Sequence, residues 1–378
     1  MNKQLQQLRA DLMAQYLERK DVIEGSLAAI LAGEHVLLLG PPGTAKSALV
    51  RAIAQAFGGS YFERLLTKFS TPEELFGPVS LKALEQDRFL RVTSGKLPEA
   101  EFAFVDEIFK ANSAILNSLL SVANERIFHN DEVPTPCPLV SLFGASNELP
   151  EGKELEALFD RFLVRFHVGY LLADANLRAV LMRPDPVASV VLSMADLRQA
   201  QAEAAAVKLT DETVDALLAV RDTCRAEGII ASDRRWKRAT KLVRAAAYLA
   251  GEKQTCPEDL AILVDGLWRD PKDRPKVARL VGNLADPAGT QALEILDAAR
   301  EVAAKANGLK NGDRKAYISQ AAQAVEQFDQ QRRKLGELGG SAGRRARSVI
   351  SDAVAEIRGL HAELARAVSA GLGIRSIK

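Results

Sequence analysis

The sequence predicts an α/β protein: a five-stranded parallel sheet with helices on both faces, followed by an all-helical module and a C-terminal helical bundle or hairpin. Three observations carry that expectation. Residues 1–172 hold five short apolar runs separated by helix-like segments, the alternation that builds a parallel sheet covered on both faces. Residues 173–285 lose the strand signal and keep helical spacing. Residues 286–378 repeat apolar positions in steps of three and four, the rhythm of packed heptad helices.

Taken in order, residues 3–32 read as helical, with Leu5, Leu8, Leu12 and Tyr16 three or four apart. The strand-like runs fall at residues 35–39, 61–66, 102–106, 139–145 and 163–168. Helices follow over 196–206, 211–226, 233–250 and 258–268, with Ser232 as an N-cap and Pro257 in a first turn. Ala292, Ile295, Ala299, Val302 and Ala306 begin the heptad rhythm. Ile318, Ala321, Val325, Phe328 and Leu335 continue it, as do Ile350, Ala353, Ile357, Leu360, Leu364 and Ala367. Three helices joined by polar or glycine-rich turns, the second over residues 336–343, make an antiparallel hairpin or a three-helix bundle. A solvated helical spacer fits the same pattern.

Composition excludes several classes. With 47% hydrophobic and 26% charged residues the chain is not a disordered polymer. Lys+Arg 50 against Asp+Glu 49 leaves no basic surplus, which argues against a nucleic-acid partner. Cys137, Cys224 and Cys256 form no CxxC pair, and the four histidines lack metal-ligand spacing. No stretch reaches the ~20 apolar residues of a membrane span, and the polar start MNKQLQQLRADL is unlike a signal peptide. A cytoplasmic protein is expected.

The chemistry concentrates at the carboxyl ends of the predicted strands, where such sheets bind ligands. After the first run come Gly40, Pro41, Pro42, Gly43, Thr44, Ala45, Lys46 and Ser47. A strand entering a glycine loop that opens a helix with Lys-Ser cradles phosphates in backbone N–H groups. Lys46 then neutralises the terminal oxygens of ATP, and Ser47 places its hydroxyl on Mg²⁺. Ala45 stands where that pattern asks for glycine, harmless at negative φ and costly at positive φ. The third run ends in Asp106 and Glu107, an acid for Mg²⁺ and an acid to act as general base on water. Asn147, after the fourth run, can orient that water or simply form a turn. Arg161 and the pair Arg234-Arg235 can stabilise transition-state charge from a neighbouring subunit, or form surface ion pairs.

The order GPPGTAKS, FAFVDE, GASNEL, LFDRF, SDRRWKRA resembles the P-loop AAA+ ATPases. Residues 69–78 (FSTPEELFGP), 93–100 (TSGKLPEA), 115–120 (ILNSLL) and 124–126 (NER) narrow the resemblance to the MoxR family and its RavA-like branch. It spans about residues 20–285. It implies Walker A at residues 40–47, Walker B at Asp106 and Glu107, and sensor 1 at Asn147. Arg161 would be the arginine finger and Arg234 sensor 2, with Arg235 the second claimant. Residues 78–101 resemble a helix-2 insert and 126–138 a hairpin before sensor 1, both facing the pore of a hexamer. The domains would be a nucleotide-binding domain over 1–172, a helical lid over 173–285 and a heptad region over 286–378.

RavA-like proteins usually carry a small β-barrel on a helical arm, and no barrel-like run of strands occurs here. The resemblance further implies a homo-hexameric ATPase that remodels protein complexes, often during metal or cofactor enzyme maturation, with a von Willebrand factor A domain partner and an unknown client. A nucleic-acid-stimulated motor, using Arg332-Arg333-Lys334 and Arg344-Arg345-Ala346-Arg347, is the alternative, as is a nucleotide-gated scaffold with little turnover.

Overall fold

The computed structural model describes residues 2–131, 133–183, 192–309 and 314–371. It begins with two helices, α1 (Asn2–Gln15) and α2 (Lys20–Ala32), rather than the single helix expected over residues 3–32. Glu18, between them, has a left-handed φ of 58° that a helix interior cannot hold. Gly33 closes α2 in the same conformation, its N–H bonded back to Ala29 and Ile30.

Next come β1 (His35–Leu39), α3 (Lys46–Ala56), β2 (Tyr61–Leu65), the short helices α4 (Pro72–Phe76) and α5 (Leu81–Leu84), and β3 (Phe102–Asp106). Helix α6 (Ser113–Glu125) starts at Asn112, whose side chain accepts the Ile115 N–H. The antiparallel pair β4 (Ile127–Asn130) and β5 (Val133–Pro136) precedes β6 (Ser141–Ser146), α7 (Lys153–Arg161), β7 (Phe162–His167) and α8 (Asp174–Met182).

The five expected strands form one parallel sheet in the order β2-β3-β6-β1-β7. Every residue of β1 and β6 is buried. Two-sided burial is why these strands read as continuous apolar runs rather than as alternating ones.

A polar cluster fastens the amino ends of the central strands. His35 is fully buried; its Nδ1 accepts the Leu142 N–H at 2.9 Å, so Nε2 carries the proton and donates to the Ala123 carbonyl at 2.8 Å. Arg126 reaches the same place and donates to the carbonyls of Ala123 and Gly33. Burial pulls its guanidinium down to about 10. Burial and the neighbouring Arg126 hold His35 well below its ordinary pKa. Buried Glu34 next door pairs with Arg238 and Lys241.

The helical module contains α9 (Met194–Ala205), α10 (Asp211–Ala226) and α11 (Asp233–Leu249), with Ser232 as the expected N-cap of α11. The expected fourth helix is instead a 3₁₀ turn over Pro257–Leu263, opened by Pro257, and the short α12 (Val264–Leu267). Then follow α13 (Arg274–Ala285), α14 (Pro287–Gly308), α15 (Arg314–Ser341) and α16 (Arg344–Gly371). The chain forms two compact units: residues 1–214 with 228–274, and residues 215–227 with 275–378. In the first, α2 packs against α9 and α11.

In the second unit α14, α15 and α16 pack on one another in all three pairings, a three-helix bundle rather than a hairpin or a solvated spacer. Its core mixes Ala292, Ala299, Ala303, Ala321, Ala324, Ala346 and Ala353 with Phe328, Leu335, Ile350, Ile357 and Leu364. The turn expected over residues 336–343 is helix as far as Ser341. Buried Leu335 and half-buried Leu338 anchor this stretch. Packing there outweighs the ~0.5–1 kcal/mol that each glycine costs a helix.

A Cβ built on Gly336, Gly339 or Gly340 meets nothing within 4 Å. Each change to alanine is expected to stabilise the second unit by about 0.5–1 kcal/mol, read from far-UV circular dichroism melts; a loss instead would locate a turn there. In the first unit, the unfolded chain takes up a proton below about pH 6.5 that folded His35 refuses. Stability should therefore fall as pH falls, by about 1 kcal/mol between pH 6.5 and 5.5. Trp236 and Trp268 both lie in that unit, so urea unfolding followed by their fluorescence measures the slope. His35→Gln should flatten it.

Candidate functional site

The loop of residues 40–47 leaves β1 and enters α3. Gly40 has φ 145°, its N–H bonds the Ser146 carbonyl at 2.9 Å, and a Cβ there would lie 2.2 Å from the Val168 carbonyl oxygen. Only glycine fits. Gly43 follows with φ 77°, and then Ala45 with φ 62°. The loop thus requires at Ala45 the positive φ that makes the missing glycine costly, at roughly 1 kcal/mol. The Ala45 side chain is exposed.

Lys46 is 9% exposed. Its Nζ donates to the carbonyls of Gly40 (2.9 Å) and Pro41 (2.7 Å) and to the Thr44 hydroxyl (3.3 Å). Burial lowers its pKa, while the charges of Asp106 and Glu107 oppose the shift. The first N–H groups of α3 have no partner within the helix and face this loop, the donor set a phosphate needs.

Asp106 ends β3, and its Oδ1 accepts the Glu107 N–H at 2.9 Å. Glu107 is left-handed (φ 52°), and its carboxylate pairs with Lys110 at 3.2 Å. Parallel pairing sets Val105 beside Gly144 and Leu39 beside Ser146, so the carboxyl ends of β3, β6 and β1 stand in a row. Ser146 and Glu148 close a turn through the Ser146 hydroxyl, leaving Asn147 exposed at its tip. The structure thus brings loop 40–47, Asp106, Glu107 and Asn147 together. The Ser47 hydroxyl and the Asp106 carboxylate are hard oxygen donors, the kind Mg²⁺ takes alongside phosphate oxygens and water.

The arginines lie elsewhere. Arg161 ends α7, immediately before Phe162, which pairs with His35 at the opposite end of β1. Five residues at ~3.3 Å each separate that end from Gly40, about 16 Å. Arg234 shares this location, its Nη2 3.2 Å from Asp160 Oδ2. Partial burial and the neighbouring Arg234 lower the pKa of Arg161, whose Nε has no hydrogen-bond partner among the described residues.

Arg235, the second claimant, is buried and fully engaged. It donates to the carbonyls of Gly266 (2.7 Å), Leu163 (2.9 Å) and Phe162 (3.0 Å), and burial pulls it to about 10. Arg165, which sequence reasoning passed over, donates to the Trp268 carbonyl and stacks on the Phe159 ring at 3.9 Å. A charge inside an otherwise apolar run was its signal. Lys110 also went unnoticed, and nothing in its surroundings would have flagged it.

Residues 3–206 match the model for the MoxR domain in the MoxR-vWA-beta-propeller ternary systems, and residues 212–281 match an AAA lid domain. The chain is 44% identical over 298 residues to an uncharacterized protein of Methanocaldococcus jannaschii, covering 78% of this chain and 80% of the relative. It is 30% identical over 191 residues to the chaperone MoxR1 of Mycobacterium tuberculosis, covering 49% of this chain and 50% of that protein. The fold matches the crystal structure of a candidate ATPase from Cytophaga hutchinsonii with a TM-score of 0.60 at 18% identity, over 75% of this chain and 93% of that one.

Arg234 and Arg235 should separate cleanly on mutation. Arg235→Ala strands several buried carbonyls and is expected to cost about 3 kcal/mol or more, whereas Arg234→Ala loses an exposed ion pair, under about 1 kcal/mol. Urea unfolding by tryptophan fluorescence measures both. Equal losses would mean that Arg234 is structural too.

Proposed function

The chain belongs to the MoxR family of AAA+ ATPases, and from that premise we propose that it hydrolyses ATP with Mg²⁺ at sites shared between neighbouring subunits of a homo-hexameric ring. One observation carries the reading: Lys46 sits in the field of Asp106 and Glu107, while Arg161 and Arg234 stand about one strand length away. An arginine side chain cannot cross that distance to its own phosphates. Both arginines therefore serve the site of an adjoining copy.

Within one site, Gly40, Pro41, Pro42, Gly43, Thr44 and Ala45 shape the loop, and Lys46 holds the terminal phosphates. Glu107 takes the proton from the attacking water, and Asn147 orients that water. Mg²⁺, held by Ser47 and Asp106, would supply the positive charge that offsets the developing charge on the phosphates. Arg161 acts as the finger and Arg234 as sensor 2. Full engagement of Arg235 with backbone carbonyls supports Arg234 over Arg235.

The ring would remodel protein complexes in the manner of a chaperone, with a von Willebrand factor A domain partner, in the cytoplasm. The name of the matched family model supports such a partner. Among the described residues no helix is long and apolar enough to cross a membrane. The motifs at residues 69–78 and 93–100 support a RavA-like assignment within the family. The nucleic-acid alternative gains nothing from the bundle, where Arg332 pairs with Asp329 and Arg347 donates to the Ala342 carbonyl.

Lys46→Ala should abolish ATP binding. Glu107→Gln should keep binding and slow hydrolysis about 100-fold or more, which separates an ATPase from a scaffold with little turnover. Arg161→Ala and Arg234→Ala should each slow turnover, by about 10³ for the finger. Mixing either with Lys46→Ala subunits should restore part of the activity, because one wild-type half from each chain completes a site. No recovery under ring-forming conditions would refute the shared site.

A further inference from the structure

Sheet order gives the site a direction. On one side of β1 lie β6 and β3 with Asn147, Asp106 and Glu107; on the other, among the described residues, lies β7 alone. A triphosphate pointing its terminal phosphate at the acids leaves its nucleoside over the carboxyl end of β7. Residues 168–173 form that end.

This segment is held from both sides. The Val168 N–H bonds the Leu39 carbonyl at 2.7 Å, against the start of the phosphate loop. From the other side comes the turn between α1 and α2. Arg19 donates to the Gly169 carbonyl at 2.6 Å. The Glu18 carboxylate accepts the N–H groups of Leu172 (2.8 Å) and Ala173 (3.0 Å) and the side-chain amide of Asn176 (2.9 Å). The same turn touches the phosphate end as well. Tyr16 donates to the Ala48 carbonyl at 3.0 Å, one residue past Ser47, and the charge of Arg19 lowers the pKa of Lys46.

Helix α8 depends on these bonds. It buries none of its side chains, and its own N-cap, Ala173, has no side-chain acceptor. Glu18, 155 residues away in sequence, instead accepts the N–H of Ala173 itself, placing a carboxylate at a helix N-terminus where the dipole favours it. At the far end Arg183 donates to the Ala14 carbonyl at 2.8 Å. Polar contacts with residues 14–19, rather than apolar burial, keep α8 and the segment before it in place. Glu18 does so in a left-handed conformation unfavourable to any side chain. Its three acceptor bonds offset that strain and hold its carboxyl below the usual range.

Resting on the proposed ATPase reading, we propose that Glu18 is a positioning residue for the nucleoside end of ATP. Its carboxylate caps α8 and fixes residues 168–173 beside the phosphate loop, so that it governs nucleotide affinity and leaves the chemical step alone. The bond to Asn176 and the two backbone bonds act together, and Arg19 sets the other end of the segment.

Steady-state ATPase kinetics on the full chain test this with four variants. Glu18→Ala and Glu18→Gly should each raise KM for ATP about tenfold with kcat within twofold, the loss expected for charge-assisted hydrogen bonds. Glycine relieves the backbone strain, so equal effects in the two variants assign the loss to the carboxylate. Glu18→Gln keeps one acceptor oxygen and should lie between them and wild type, as should the shorter Glu18→Asp. ATP titration in a Glu107→Gln background should reproduce the same ratios without turnover. Hydrogen exchange at residues 172–176 should quicken in Glu18→Gly without nucleotide. An unchanged KM, a fall in kcat alone, or a normal KM in Glu18→Gly would each overturn the proposal. Wild-type protein that neither binds nor hydrolyses ATP in a Lys46-dependent way would overturn the ATPase reading instead, and the exchange result would stand apart from it.

Discussion

The pairing of β1 with β6 on one side and β7 on the other is the constraint on which the site depends. Two-sided burial removes all five residues of β1 from water, and that burial fixes its neighbours' register. Gly40 then leaves β1 between the Ser146 carbonyl, which takes its N–H, and the Val168 carbonyl, which leaves no space for a Cβ. The loop has one way out. Its exit sets the start of α3, hence the place of Lys46, and the strand on the acid side sets Asp106 and Glu107 against it.

The backbone around this constraint is strained at several points. Ala45, Glu107 and Glu18 all hold positive φ without being glycine, at roughly 1 kcal/mol or more apiece. Each belongs to a segment fixed from elsewhere. Ala45 is held by the loop between two regular elements, Glu107 by its bond to Asp106 and its ion pair with Lys110, and Glu18 by its bonds to the start of α8. Strain that the surroundings maintain keeps the carboxylates of Glu107 and Glu18 in orientations a relaxed chain would abandon.

Much of this was legible beforehand, for identifiable reasons. Strands buried on both faces announce themselves as apolar runs, and β1 and β3 were bounded to the residue. The loop and the acids were legible because their spacing is set by local chemistry. What escaped notice depends on contacts between distant residues. Tyr16 continues the apolar spacing of α1, so the break after it carried no periodic signal. The glycines at 336, 339 and 340 read as a turn because sequence does not record the packing of Leu335 and Leu338 around them. Arg234 and Arg235 are adjacent and chemically identical; only the three-dimensional path of Gly266, Phe162 and Leu163 makes one structural and leaves the other facing water.

That separation along β1 gives the molecule a polarity. Lys46, Asp106 and Glu107 gather at the carboxyl end of the sheet, and Arg161 and the ion-paired Arg234 at the amino end. Under the proposed reading each copy is a donor at one pole and an acceptor at the other, and neighbours join head to tail. An event at one nucleotide then reaches the copy on a single side, through the arginines inserted there. Activity in such an arrangement has a handedness of its own, and it falls away on dilution even while every chain stays folded.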